Sequence, residues 1–221
     1  NRPVYKTGIL NNKPVVRFDG VNDYYRDFYT TSSNKMTLFT VFSHDHTGIS
    51  APDGPLWQTN LAAINNGLFP MTSAGKQSLA FGLSESQNAL IKTSSFVRNT
   101  FYGTSVIYGD HKTELWSDGS LNHNIFINKE SPGNFQIGAR IGYYTNYFKG
   151  DIAELIFYNQ ELNTAERTIV ENYLAAKYNL PLSNNRYAYR TTHQNDVAGI
   201  GRDDEYNYHN AAQSAGILKI S

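Results

Sequence analysis

Cysteine does not occur in these 221 residues. Disulfides, thiolate metal sites and cysteine nucleophiles are therefore excluded. Charge is sparse: 17% of the residues are charged, and 19 basic residues balance 19 acidic ones. No global field draws such a chain to nucleic acid or to an anionic membrane. No apolar run approaches the length of a membrane span. Catalytic signatures are missing too, with no nucleophile elbow, phosphate loop or zinc helix. The segment GIGRDD (199–204) lacks the third glycine and the following helix of a dinucleotide fingerprint. No pair of carboxylates is placed as the nucleophile and acid of a glycosidase would be. Asp151 and Glu154, three apart on one strand, are expected on opposite faces.

What the chain has in quantity is aromatic: 16 Tyr and 12 Phe. A tyrosine-rich, charge-poor composition suits strands and wet recognition surfaces. Short β-branched and aromatic runs recur between Gly, Asn and Asp turns. Lys35 to His44 (KMTLFTVFSH), Thr104 to Tyr108 and Lys112 to Trp116 are the clearest strands. Pro14 to Phe18, Leu61 to Ile64, Ser78 to Leu83, Ala89 to Phe96, Asn124 to Ile127 and Phe135 to Ile141 continue the pattern. Asn1 to Pro14 reads as a polar lead-in turning at Asn11-Asn12, and His46 to Asn60 as a long loop that carries Trp57. Strands at this spacing predict an all-β, two-sheet antiparallel sandwich.

The stretch Gly150 to Leu182 organises the rest. Ile152 to Tyr158 is apolar almost throughout, which predicts a strand buried on both faces near the centre of a sheet. A helix follows. Asn163 is its N-cap and Glu166 completes a capping box; Asn179 and Pro181 stop it. Ile169, Val170, Tyr173 and Leu174 share one face, and Glu166, Arg167, Glu171, Asn172 and Lys177 fall largely elsewhere. A helix of about four turns is marginal alone, so it must lie against the β-structure. After Pro181 the composition turns polar. Residues 1–182 are read as one domain. Residues 183–221 are read as a linker and the start of a further β-segment, with strand candidates at Val197 to Ile200 and Ile217 to Ile220. The opening on Asn1, without an initiator Met, is read as a piece of a longer protein.

Three motifs carry a resemblance. VVRFDGVNDYY, ELWSDGSL and the pairing of FQIGARIGYYTNYFKGDIAELIFYN with QELNTAERTIVENYLAAKYNL resemble LamG-like jelly-roll domains of the concanavalin A-like lectin/glucanase superfamily. The terminal helix with its KYNLPL ending is similar to modules of secreted and cell-surface proteins of Bacteroidetes. The resemblance implies a jelly roll that lacks its first strand, export by the type IX route, and a place outside the cell or on its outer surface. It also implies calcium near the FDGVND turn and the strand that begins at Gly150, which brings in Asp151. Many relatives carry an acidic residue where this chain has Ala153.

Two constellations follow. Asp19, Asn22 and Asp23 place hard oxygen ligands within five residues, as Ca²⁺ prefers; Asp and Asn also build turns unaided. Trp57, Tyr143, Tyr144 and Tyr147 fall in predicted loops, where exposed rings stack on the apolar faces of sugars. His44-Asp45-His46 has the spacing of two ligands without a third, so a surface pair is expected there. The reading is a non-catalytic, calcium-stabilised binding or adhesion module for cell-surface or extracellular polysaccharide, set among neighbouring domains of a larger surface protein. A ligand-free spacer is the alternative, and a divergent polysaccharide-degrading enzyme the third.

Overall fold

The computed structural model describes residues 1–26, 30–31, 35–45, 54–60, 65–73, 76–82, 91–94, 96–109, 112–125, 133–139, 147–189, 191–193, 201–202, 204–209, 212–213 and 219–220. Among the described residues thirteen strands come before the helix. They are β1 (Val4–Leu10), β2 (Lys13–Asp19), β3 (Thr30–Thr31), β4 (Met36–His44), β5 (Trp57–Asn60), β6 (Asn65–Ser73) and β7 (Lys76–Gly82), then β8 (Ile91–Ser94), β9 (Tyr102–Tyr108), β10 (Thr113–Ser117), β11 (Ser120–Ile125), β12 (Gly133–Ile137) and β13 (Lys149–Tyr158). Helix α1 (Thr164–Tyr178) follows. A seven-stranded antiparallel sheet runs β1-β2-β13-β4-β9-β10-β11, and a six-stranded one runs β3-β12-β5-β6-β7-β8. The expected two-sheet sandwich is the fold.

Side-chain alternation along β4 explains the layering. Met36, Leu38 and Phe42 point into the space between the sheets, where Trp57, Leu68, Phe135 and Phe148 meet them. Phe39 and Val41 point the other way, onto a second cluster built with Leu162, Leu174, Tyr178 and Leu180 around α1. All nine β4 residues are therefore buried, as a strand covered on both faces must be. The helix lies on the outer face of the seven-stranded sheet, and its predicted capping box is present. Two hairpin turns also match their chemistry. Asn11-Asn12 and Asp118-Gly119 take positive φ at both positions, as two-residue turns of this kind require.

Several expectations are corrected. Residues 4–10 are not a lead-in but the edge strand β1; six of its seven residues are exposed, so it carries no burial pattern to read. Trp57 begins a strand rather than sitting in a loop. The helix buries Arg167, Glu171 and Asn172 (3%, 8% and 4% exposed), while Ile169, Val170 and Tyr173 are only half-buried. The polar residues go inside because partners wait there. Arg167 donates to Glu171 at 2.6 Å and stacks on the Trp116 ring at 3.5 Å, and the Ser105 hydroxyl donates to Glu171 at 2.8 Å. The Asn172 amide donates to the Asn184 carbonyl and accepts from the Arg186 N–H.

Beyond Pro181 the described chain returns to α1. The hairpin β14 (Gly201–Arg202) and β15 (Tyr208–His209) reaches the helix N-terminus. There the Thr164 N–H donates to the Asn207 side chain, and Asn163 donates to the Tyr208 carbonyl. β16 (Ala212–Gln213) and β17 (Lys219–Ile220) pair with each other. The strand candidates at 61–64 and 197–200 lie outside the described residues.

Asp118 gives a pH prediction. Its carboxylate accepts the Gly103 N–H at 3.0 Å, but burial pushes it up to about 6, and nearby Glu171 adds to the rise. A carboxyl raised on folding favours the neutral form. Its stabilisation is full below the ordinary value near 3.8 and is lost as pH climbs through about 6. The Asp118→Asn variant keeps the acceptor and tolerates φ 47. It is expected to be more stable than wild type at pH 7.5, by ~1–2 kcal/mol after solvent screening, and no more stable at pH 4. Urea denaturation at both pH values measures the difference.

Candidate functional site

The outer face of the seven-stranded sheet changes character along its strands. Under the helix it is apolar: Phe39 and Val41 on β4, Ala153, Ile156 and Tyr158 on β13. Beyond the helix the same alternating positions become polar, continuing as Ser43 and Asp45 on one strand and Asp151 and Lys149 on the other. Pairing register aligns these positions across the sheet. One row runs Val4, Arg17, Asp151, Ser43, each the direct partner of the next. A second pairs Asp19 with Lys149, whose carbonyl accepts the Asp45 N–H. With Asp23 and Asn99 these residues line a groove of about 540 Å³. Gly150 lets β13 press on β4, since a side chain there would run into the Ser43 carbonyl.

The groove is a lattice of opposite charges. Arg17 grips Asp151 with two hydrogen bonds of 2.7 Å. Lys149 and Arg98 each reach Asp45 at 3.2 Å. Asp19 accepts the N–H groups of Val21 and Asn22 at 2.7 and 3.1 Å, and its own N–H donates to Asp23 at 3.1 Å. Slight burial pushes the Asp19 carboxyl up, but those N–H bonds outweigh it and hold it below its ordinary value. Burial acts likewise on Asp45, where Lys149 and Arg98 prevail and lower it. Both stay ionised at neutral pH.

The predicted residues distribute unevenly. Asp19, Asp23 and Asp151 line the one groove. Asn22 sits in the adjoining turn and accepts from the Asn1 amide. Trp57 is a correction: its ring is fully buried, stacked on Phe135 between the sheets, so it is not presented to a ligand. Tyr143 and Tyr144 lie outside the described residues. Tyr147 is half-buried against Tyr24, with ring centroids 6.1 Å apart. Tyr24 follows Asp23 and Tyr147 precedes Lys149 by two, so the pair is close in sequence to groove residues but does not itself line the groove. Tyr25 beside it is 40% exposed. His44 of the histidine pair is buried in β4, and His46 lies outside the described residues.

Asp151 and Glu154 are a further correction. Register shifts between Ile152 and Glu154, leaving Ala153 as an extra residue. Ile152 and Leu155 both face the inner core, so Asp151 and Glu154 share the outer face. They do different work. Glu154 is held by Lys177 of the helix at 2.8 Å, and Asp151 by Arg17.

Arg17, Ser43, Asp45, Asn99 and Lys149 were not singled out from the sequence. A signal existed: VRFD and KGDI each place a cation and an anion two residues apart, on one face of a strand. That the two strands are neighbours is a fact of topology.

Calcium takes six to eight oxygens around one point. Among the described residues no three acidic or histidine side chains converge on such a point. Both Asp151 oxygens are engaged by Arg17, and in the acidic turn Asp19 Oδ1 and Asp23 Oδ2 accept backbone N–H groups. As they stand, these residues do not fit a calcium cage. Millimolar calcium and a chelator are expected to leave the melting temperature unchanged. A calcium-dependent rise of several degrees in differential scanning fluorimetry would overturn this, since tight binding to the folded state alone must stabilise it.

No family model and no curated protein matches the sequence. Solved structures do match. A heptameric pentraxin from Limulus polyphemus is similar over 70% of this chain and 80% of that chain, at 14% identity and a TM-score of 0.54. Domain 4 of an extracellular arabinanase from Geobacillus stearothermophilus, solved with arabinotriose, is similar over 74% and 78%, at 13% identity and a TM-score of 0.51. Trypanosoma rangeli sialidase with sialic acid is similar over 73% of this chain but only 28% of that one, at 16% identity and a TM-score of 0.52. At such identities the likeness is one of fold, and the fold is the concanavalin A-like jelly-roll sandwich.

Proposed function

We propose that this chain is a non-catalytic glycan-binding module. The observation that carries the reading is the groove: two cross-strand rows of mostly polar side chains on a rigid sheet. Sugar hydroxyls need donors and acceptors at fixed spacing, and such rows supply both. The arabinotriose-bound domain supports the reading, because it shows a domain of this fold in complex with a sugar.

The acid–base chemistry supports the non-catalytic side. A glycosidase needs one carboxyl kept protonated near neutral pH. In the groove Asp19 and Asp45 are held down instead. Among the described residues, the carboxyls that burial leaves above their ordinary values, Asp118 and Glu171, belong to the packing beneath α1. The resemblance read from the sequence supports an extracellular setting, within a larger surface protein of which this is one module.

Native affinity electrophoresis of the intact chain through gels containing plant, algal and bacterial polysaccharides tests the proposal. Retardation by at least one of them, with no release of reducing sugar, is expected. Unretarded migration in every gel, from a sample shown to be folded, would turn the reading to the ligand-free spacer.

A further inference from the structure

Resting on that reading, we infer that the groove selects neutral, hydroxyl-rich polysaccharide and rejects polyanions. The argument is one of charge already spent. Four carboxylates line the groove, those of Asp19, Asp23, Asp45 and Asp151, against three cations, Lys6, Arg17 and Lys149. Arg98 reaches in to Asp45 and evens the count. The groove therefore presents no net positive potential, and the whole chain, with 19 charges of each sign, adds none.

Two of the groove's cations, Arg17 and Lys149, are also committed. Arg17 directs its guanidinium at Asp151 in a two-bond fork, the geometry it would otherwise offer a uronate or sulfate. Lys149 is held on Asp45. A polyanion would have to displace these carboxylates and then lie beside them, where like charges repel. A neutral hydroxyl has no such conflict. It is donor and acceptor at once, so it can donate to a carboxylate while accepting from the neighbouring ammonium or from the Asn99 amide, with the ion pairs left intact.

The test compares two classes of probe by the same electrophoresis: neutral arabinan, mannan and β-glucan against polygalacturonate and heparin. Retardation by a neutral polymer alone is expected, changing less than about twofold between low and high salt, because no counterions are exchanged. The double variant Asp19→Asn with Asp45→Asn keeps hydrogen-bonding shape but leaves the groove cationic. It is expected to gain salt-sensitive retardation by polygalacturonate. Wild-type binding to the polyanions, whether alone or as strong as to the neutral polymers, would overturn the inference and leave the binding reading standing. No retardation by any probe would overturn both. A double variant that stays blind to polygalacturonate while the wild type binds a neutral polymer would also overturn it, since the acidic residues would then not be what excludes anions.

Discussion

Arg167→Ala is expected to remove about 3–5 kcal/mol of folding stability, far more than an ordinary helix-surface change. Arg167 is 3% exposed, and its guanidinium is both the counter-ion of Glu171 and a lid on Trp116. Burial alone pushes the Glu171 carboxyl above its ordinary value, opposed by Arg167 and then by Ser105. Without Arg167 a carboxylate is left in a dry site with one hydroxyl donor. The sign of the pH dependence follows. A carboxyl raised on folding is best tolerated when protonated, so the penalty of Arg167→Ala should shrink as pH falls from 7.5 toward 4. The double variant Arg167→Met with Glu171→Leu removes both charges and should recover most of the loss. Urea denaturation of the three proteins at two pH values checks it. Equal losses in the single and double variants would mean that packing on Trp116, not the charge pair, holds the helix down.

Trp57→Ala is expected to cost a similar ~3–5 kcal/mol, through a cavity between the sheets. The ring has 0% exposure and stacks on Phe135 at 5.7 Å, and Phe135 in turn meets Phe157 of β13 edge-on. Through Phe135 it thus joins the smaller sheet to β13 of the larger one. Trp57→Phe should lose much less, since it keeps a ring on Phe135. Thermal denaturation separates this account from the loop-ligand expectation: an exposed, sugar-stacking Trp57 could be cut to Ala with stability almost unchanged.

The contrast between these two residues shows what the sequence made visible. Where local chemistry decides, the sequence was sufficient. Asn163 with Glu166 reads as a capping box and is one, and the continuous apolar run of 152–158 reads as a strand covered on both sides. The turn at Asn11-Asn12 likewise rests on residues that tolerate positive φ, although the strand that leads into it did not show. Where a residue's fate depends on what arrives from elsewhere, local pattern misled. Trp57 stands among Gly, Pro and Asp residues, so it reads as loop, and only pairing with β12 and β6 buries it. Arg167 and Glu171 read as solvent-facing because their i,i+4 spacing also suits an exposed pair. Ser105 and Trp116, more than fifty residues away, draw them inward. The edge strand β1 gave no periodic signal because neither of its faces is covered. The groove lies between these cases. The acidic turn and Asp151 were legible as polar residues with some purpose, but the ladder they belong to exists only once β2, β13 and β4 lie side by side in register.

The central claim is that ligand binds in this groove, and a pair of point variants tests it most directly. Lys149→Ala removes the groove ammonium that pairs with Asp45 and keeps the Cβ that packs over Gly20. Tyr206→Ala removes a ring that is 79% exposed on the tail hairpin, away from the groove. Isothermal titration with whichever polysaccharide retards the wild type should show at least a tenfold loss of affinity for Lys149→Ala and none for Tyr206→Ala, a difference of about 1.4 kcal/mol. Unchanged affinity in Lys149→Ala together with loss in Tyr206→Ala would contradict the account and move the binding surface to the tail.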